Sequence, residues 1–293
     1  MYDFNLFYEN YVNEFETYVK KYTDGLQTRP NVLGESMRYS LLNGGKRVRP
    51  VLMLACADVL KLPKEDVLPF ALALEIIHTY SLVHDDLPAM DNDDFRRGKP
   101  SCHKQFGEAN AILTGDGLLN EAYAICFKEC FKGERQILAS GYLNECAGIH
   151  GMIAGQSADL YHSDNEADVS EEELLYIYEH KTGKLLLAPI IIPCILNSNK
   201  SFVAWEEFGK LLGTLFQMTD DILDVIGSFE KLGKSIGKDA NENKLTCIKL
   251  YGLEGAKIRA DMCAKDCRAV LEGIDGDTQF LSDFVDYLLN RSK

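Results

Sequence analysis

Residues 68–83, LPFALALEIIHTYSLV, are apolar on nearly every side, and the run ends directly on His84-Asp85-Asp86. A helix that is greasy all round has no face to give to water, so it belongs in the middle of a helical bundle. Parts of residues 185–196 and 211–226 have the same character. Around them the spacing is helical and amphipathic. Leu6, Phe7, Val12, Phe15 and Val19 approximate one stripe, residues 33–42 and 50–60 carry two more, and residues 283–289 read as a short final amphipathic helix followed by basic residues. No segment alternates as a half-buried strand must. The fold class expected is all-α, a bundle of about ten or more helices with the most apolar ones central.

A chain of 293 residues that is 46% apolar can bury one large core. Only eight prolines occur, and no Ser/Gly-rich linker or internal repeat divides the chain, so residues 1–293 read as one domain. The first fifteen residues carry acidic groups and no apolar run of signal-peptide length, and residues 185–196 are interrupted by Pro189 and Pro193. These features predict a soluble, cytoplasmic protein without stable membrane insertion. The nine cysteines form no CxxC pair; Cys126 with Cys130 and Cys263 with Cys267 have ordinary same-face helical spacing, and all are expected as reduced thiols. A formal net charge of −14 repels nucleic acid, so any anionic ligand must be held by local cations or bridging metal.

Three constellations carry chemistry. The first runs from His84 through Asp85, Asp86, Asp91, Asp93 and Asp94 to Arg96-Arg97-Gly98. An acidic run is usually a solvated loop. Here it caps a buried helix, where carboxylates are costly unless they are paired or bind a cation, and a donor set of oxygens without cysteine suits Mg²⁺. The second is Gln217-Met218-Thr219-Asp220-Asp221-Ile222-Leu223-Asp224, in which Asp220 and Asp224 share a helix face and Gln217 lies three residues earlier on that side. The third is basic: Gly44-Gly45-Lys46-Arg47-Val48-Arg49-Pro50, Arg96-Arg97, Lys181-Thr182-Gly183-Lys184, and Lys234, Lys238 and Lys244. Scattered lysines are mostly surface decoration, but these stand beside glycine turns and acidic clusters, where Arg forks and Lys point charges can hold diphosphates.

GGKRVRP, HTYSLVHDDLPAMDNDDFRRGKP, GQSADL, KTG, FQMTDDILD and LGKSIGKDANENK occur in the order seen in trans-prenyl diphosphate synthases. The chain resembles the bacterial farnesyl diphosphate synthase group of that family, from about residue 33 onward. The resemblance implies an isoprenoid-synthase bundle around a deep central cavity, a homodimer, and prenyl diphosphates as substrates. It implies that Asp85, Asp91, Asp220 and Asp224 hold three Mg²⁺ ions on an allylic diphosphate, with Asp86 and Asp221 in support. Arg96, Lys181, Thr182, Gln217, Lys234 and Lys244 then match direct contacts to that diphosphate, with Lys238 a competitor of Lys244. Lys46, Arg49, His78 and Arg97 match a metal-free site for isopentenyl diphosphate. Asp85, Asp91, Lys181 and Asp220 carry the catalytic roles.

The implied reaction is Mg-assisted ionisation of the allylic diphosphate and attack by the isopentenyl double bond. Dimethylallyl and then geranyl diphosphate are extended to (2E,6E)-farnesyl diphosphate. A chain pinned at Asp85 grows toward the N-terminus of its helix, and Tyr80, about 7.5 Å back, and Ser81 are expected to set its length. A geranylgeranyl product is the alternative. A metal-dependent phosphohydrolase would leave the second Asp cluster and Lys181-Thr182 unused. A terpene cyclase would not need the basic set at Lys46, Arg49 and Arg97, and a non-catalytic partner subunit would be expected to lack one Asp motif. Pro189 and Pro193 depart from the family's helical pattern and are expected to kink a helix.

Overall fold

The computed structural model describes residues 2–164, 170–198, 202–231 and 246–291. Thirteen α-helices account for nearly all the regular structure of the described residues. The only strands among them are the two-residue pieces Phe95–Arg96 and Lys99–Pro100, paired antiparallel as a minimal hairpin. The all-α expectation holds. The chain divides into two compact units, Met1–Leu143 with Ile192–Ser198, and Asn144–Ile191 with Asn199–Lys293.

In the first unit, α4 (Lys64–Asp85) is the centre. Packed against it are α6 (Glu108–Cys130), α3 (Val48–Val59), α2 (Val32–Leu41) and α1 (Phe4–Asp24). Side chains on every side of α4 are buried, from Val67 to Val83, as its sequence requires. It is long and apolar enough to span a membrane, but most of its apolar window is buried by its neighbours within the protein. Pro69 lies inside the helix, one turn past its start. Asp3 caps α1 by accepting from the Asn5 and Leu6 amides. The buried stripe of α1 is Tyr11, Phe15, Val19 and Thr23, at strict four-residue spacing; Leu6 and Phe7, assigned to the stripe from sequence, are exposed.

Arg47 ties this unit together. Its side chain is fully buried, and it donates to Glu16 of α1 at 2.6 Å, to the buried Glu75 of α4 at 2.8 Å, and to the Leu41 carbonyl at the end of α2 at 2.6 Å. A buried guanidinium is tolerable only when its donors are met in this way.

In the second unit, α11 (Val203–Lys231) packs on α12 (Cys247–Glu272), α13 (Gln279–Asn290) and a π-helical turn, Tyr178–Gly183. The turn joins α9 (Glu171–Ile177) to α10 (Lys184–Leu196) and rests on α8 (Met152–Asp164). Helix α10 includes Pro189 and Pro193, and nearly all of its side chains are buried. The final helix is longer than residues 283–289. Helix α12 is broken at Gly252 by a non-helical backbone, φ 69°.

Candidate active site

The first Asp motif begins on the last residue of α4 and continues into a folded loop. The Asp91 amide donates to the Asp85 carbonyl at 2.9 Å, and the Met90 and Asn92 amides both donate to Leu87, so the loop brings the backbones of the outer aspartates together. Asp86 is different. It is buried, and Arg96, on the hairpin, donates to it through Nε at 2.9 Å and also through Nη2. Loss of solvent pushes its carboxyl above the usual range, and Arg96 opposes that shift. Arg96 also reaches Asp93 at 3.0 Å. In this structure the Arg96 guanidinium, expected on the diphosphate, is therefore shared by two aspartates.

Behind the hairpin the basic residues converge. Arg97 lies across the glycine turn that precedes α3, donating to the Gly44 carbonyl. A Cβ on Gly45, whose φ is +119°, would sit 2.6 Å from its Nη1. Glycine is needed there both for the backbone and for the approach of the guanidinium. Lys46 is exposed, Arg49 is nearly buried, and His78 is half-buried on α4. The imidazole is held well below its usual pKa, first by lost hydration and then by the charges of Arg49, Arg97, Arg47 and Arg96. Lys46, Arg49, His78 and Arg97 thus belong to one unit, and three of the four interact electrostatically. A small pocket of about 20 Å³ adjoins them, lined in part by Asn43, Thr79, Asp86, Arg96 and Arg97. Tyr80 is buried on α4, its ring edge-on to His84 with centroids 5.8 Å apart, and burial pushes its phenol up to about 12. The Ser81 hydroxyl donates to the His78 carbonyl at 2.9 Å.

In the second unit Lys181, Thr182 and Gln217 are brought together by the π turn. Thr182 Oγ1 donates to Gln217 Oε1 at 2.8 Å, and Gln217 Nε2 donates to Asp221 Oδ1 at 3.3 Å. The sequence places Gln217 on the side of Asp220; its bonded partner is Asp221, one turn along. Asp221 is buried and accepts from the Tyr178 hydroxyl and, at 2.8 Å, from the Cys247 amide at the start of α12. Desolvation raises its carboxyl, and these bonds oppose the rise. Lys181 Nζ donates to Asp159 of α8 at 2.5 Å. On α11, Asp220 is half-buried and Asp224 exposed. Lys234, Lys238 and Lys244 lie outside the described residues.

Asp159, Tyr178 and Arg291, which touches Asp220, were not singled out from sequence. GQSADL was a signal for Asp159; nothing local marks the other two.

The donor chemistry fits magnesium. Asp86 and Asp221 are bonded to protein partners, and Asp85, Asp91, Asp220 and Asp224 carry hard carboxylate oxygens of the kind magnesium takes. Among the described residues no three His, Cys, Asp or Glu side chains are gathered as a metal cage.

Residues 30–270 match the polyprenyl synthetase family. The farnesyl diphosphate synthase of Micrococcus luteus is 41% identical over 263 residues, covering 89% of this chain and 90% of that protein. The chloroplastic geranylgeranyl pyrophosphate synthase of Capsicum annuum is 44% identical over 271 residues, 90% of this chain and 73% of that one. The crystal structure of a geranyltransferase from Legionella pneumophila superposes with a TM-score of 0.87 at 32% identity, covering 99% of this chain and 98% of the other. Two Asp motifs on buried helices, a basic cluster around a neutral histidine and this similarity together identify the chain as a member of the polyprenyl synthetase family, a prenyltransferase of the short-chain prenyl diphosphate synthase group.

Proposed function

We propose that the chain condenses isopentenyl diphosphate head to tail with dimethylallyl and then geranyl diphosphate, giving (2E,6E)-farnesyl diphosphate and diphosphate. The observation that carries this reading is the convergence of arginine charges on the uncharged His78. A diphosphate needs several cations, and an imidazole N–H can donate to it as well. Lys46, Arg49, His78 and Arg97 hold isopentenyl diphosphate in this reading. Arg96, Lys181, Thr182 and Gln217, with Lys234 and Lys244 or Lys238, hold the allylic diphosphate. Three Mg²⁺ ions, held by Asp85, Asp91, Asp220 and Asp224, would supply charge neutralisation on that diphosphate.

The chain's own residues then do three things. Lys181 and Arg96 stabilise negative charge on the departing diphosphate as the allylic carbon–oxygen bond ionises. Asp159 and Asp86 fix where those cations point; an ammonium has three donors and Asp159 uses one. The apolar wall of α4 keeps water from the allylic cation until the isopentenyl double bond attacks it. The released diphosphate accepts the proton lost from the adduct, so no protein nucleophile is required. Relatives named as farnesyl and as geranylgeranyl synthases are about equally similar. The bulk of Tyr80, five residues before Asp85, favours the fifteen-carbon product. The enzyme acts as a cytoplasmic homodimer in this reading.

Incubation with isopentenyl and dimethylallyl diphosphates, read by mass spectrometry, tests the proposal. A fifteen-carbon diphosphate is expected, lost on adding EDTA and lowered by several orders of magnitude in Asp85→Asn; each ~1.4 kcal/mol of lost transition-state stabilisation is tenfold. Undiminished turnover in EDTA would overturn the metal reading. A twenty-carbon product would overturn the farnesyl assignment.

A further inference from the structure

Arg291 follows α13 and reaches back to α11. Its Nη2 donates to Asp220 Oδ1 at 2.5 Å, to Thr219 Oγ1 at 2.7 Å and to the Phe216 carbonyl at 2.9 Å. The guanidinium carbon lies 4.2 Å from the centroid of the Phe216 ring. The Arg291 side chain is 4% exposed and that of Asp220 41%, so a buried cation sits under a carboxylate that reaches solvent. Two of its three acceptors and the stacked ring are neutral. They anchor the guanidinium whatever Asp220 does, which is the arrangement of a fixed charge and not of a chance surface pair.

We infer that Arg291 is the resident counter-ion of Asp220 and sets how strongly the second Asp motif takes up a divalent cation. The inference rests on the proposed role of Asp220 as a metal ligand. A carboxylate already neutralised by a fixed guanidinium offers a second cation less charge, and the guanidinium repels that cation directly. Uptake is then weak in the bare protein and becomes favourable when an anionic diphosphate adds its own oxygens. Arg291 is in this sense a positioning residue that links metal uptake to substrate arrival.

The test uses Mn²⁺ as the probe, with binding to the full chain followed by electron paramagnetic resonance in the absence of any diphosphate. Arg291→Gln, and Arg291→Met, which keeps a stem over Phe216, should bind Mn²⁺ roughly fivefold tighter than the parent. Arg291→Lys, which keeps the charge, should match the parent, and adding Asp220→Asn to Arg291→Gln should remove the gain. Circular dichroism melts verify that each variant is folded. Unchanged or weaker Mn²⁺ binding in both neutral variants overturns the inference, as does a gain that survives the loss of Asp220. Failure of the underlying reading looks different: Asp220→Asn alone would leave turnover intact.

Discussion

His78 is held neutral by its loss of water and by the arginines around it, and this has a sign that can be measured. Its folded pKa is depressed, so as pH falls below the unfolded value of about 6.5 the unfolded chain takes up a proton that the folded one refuses. Stability contributed at neutral pH is lost in that window. Urea titrations of the parent should show stability falling as pH drops below about 6.5, and His78→Gln should fall less steeply. Equal slopes would mean that the imidazole is not desolvated. Tyr80 offers a second single-residue test: Tyr80→Ala should shift the product toward twenty carbons or longer at similar initial rates, and an unchanged fifteen-carbon product would place the stop elsewhere. These residues were reachable from the sequence because their motifs are local and in order. Asp159 with Lys181, Tyr178 with Asp221 and Arg291 with Asp220 were not, since the partners are 22, 43 and 71 residues apart and a pairing at that range is decided by packing.

Among the elements, the π turn Tyr178–Gly183 is the least foreseeable and has the most exacting neighbour. A Cβ on Gly155 would stand 2.6 Å from the His180 carbonyl carbon and closer still to the Lys181 amide, so α8 can lie against this turn only with glycine at that position. Gly155→Ala should cost about 2 kcal/mol, the range of overpacking, and lower the melting temperature by several degrees. It should also raise KM for the allylic substrate more than for isopentenyl diphosphate, because the strain falls on Lys181 and Thr182. A change confined to isopentenyl diphosphate would contradict the assignment of this turn. The elements were legible where the pattern was plain, as in α4, which is apolar on nearly every side. In α1 helical periodicity took in Leu6 and Phe7, which are exposed, because period alone does not say which end of a helix is covered. The prolines of α10 lie within one continuous helix, Lys184–Leu196.

For the whole molecule, the all-α class was legible because no segment alternates and several are apolar all round. The hairpin at Arg96 was too short to leave a period-2 signal. Leu113 and Phe127 of α6, Phe131 at its end, and Ile137 and Leu138 of α7 (Glu134–Ala147) are exposed apolar side chains in one stretch of the first unit, Phe131 at 93%. If this stretch is covered in the proposed homodimer, the parent should sediment as a dimer and Phe127→Glu as a monomer, and a monomeric parent would refute the assembly. Arg47 has a consequence of another kind. Terminal helices ordinarily fray, opening and closing many times for each global unfolding. Here α1 cannot lift away without taking Glu16 from a guanidinium that has no water to turn to, nor can α4 move without taking Glu75. The first helix of the chain is thereby made one cooperative block with the helix that carries the first Asp motif, and its amides should exchange with solvent on the clock of the core.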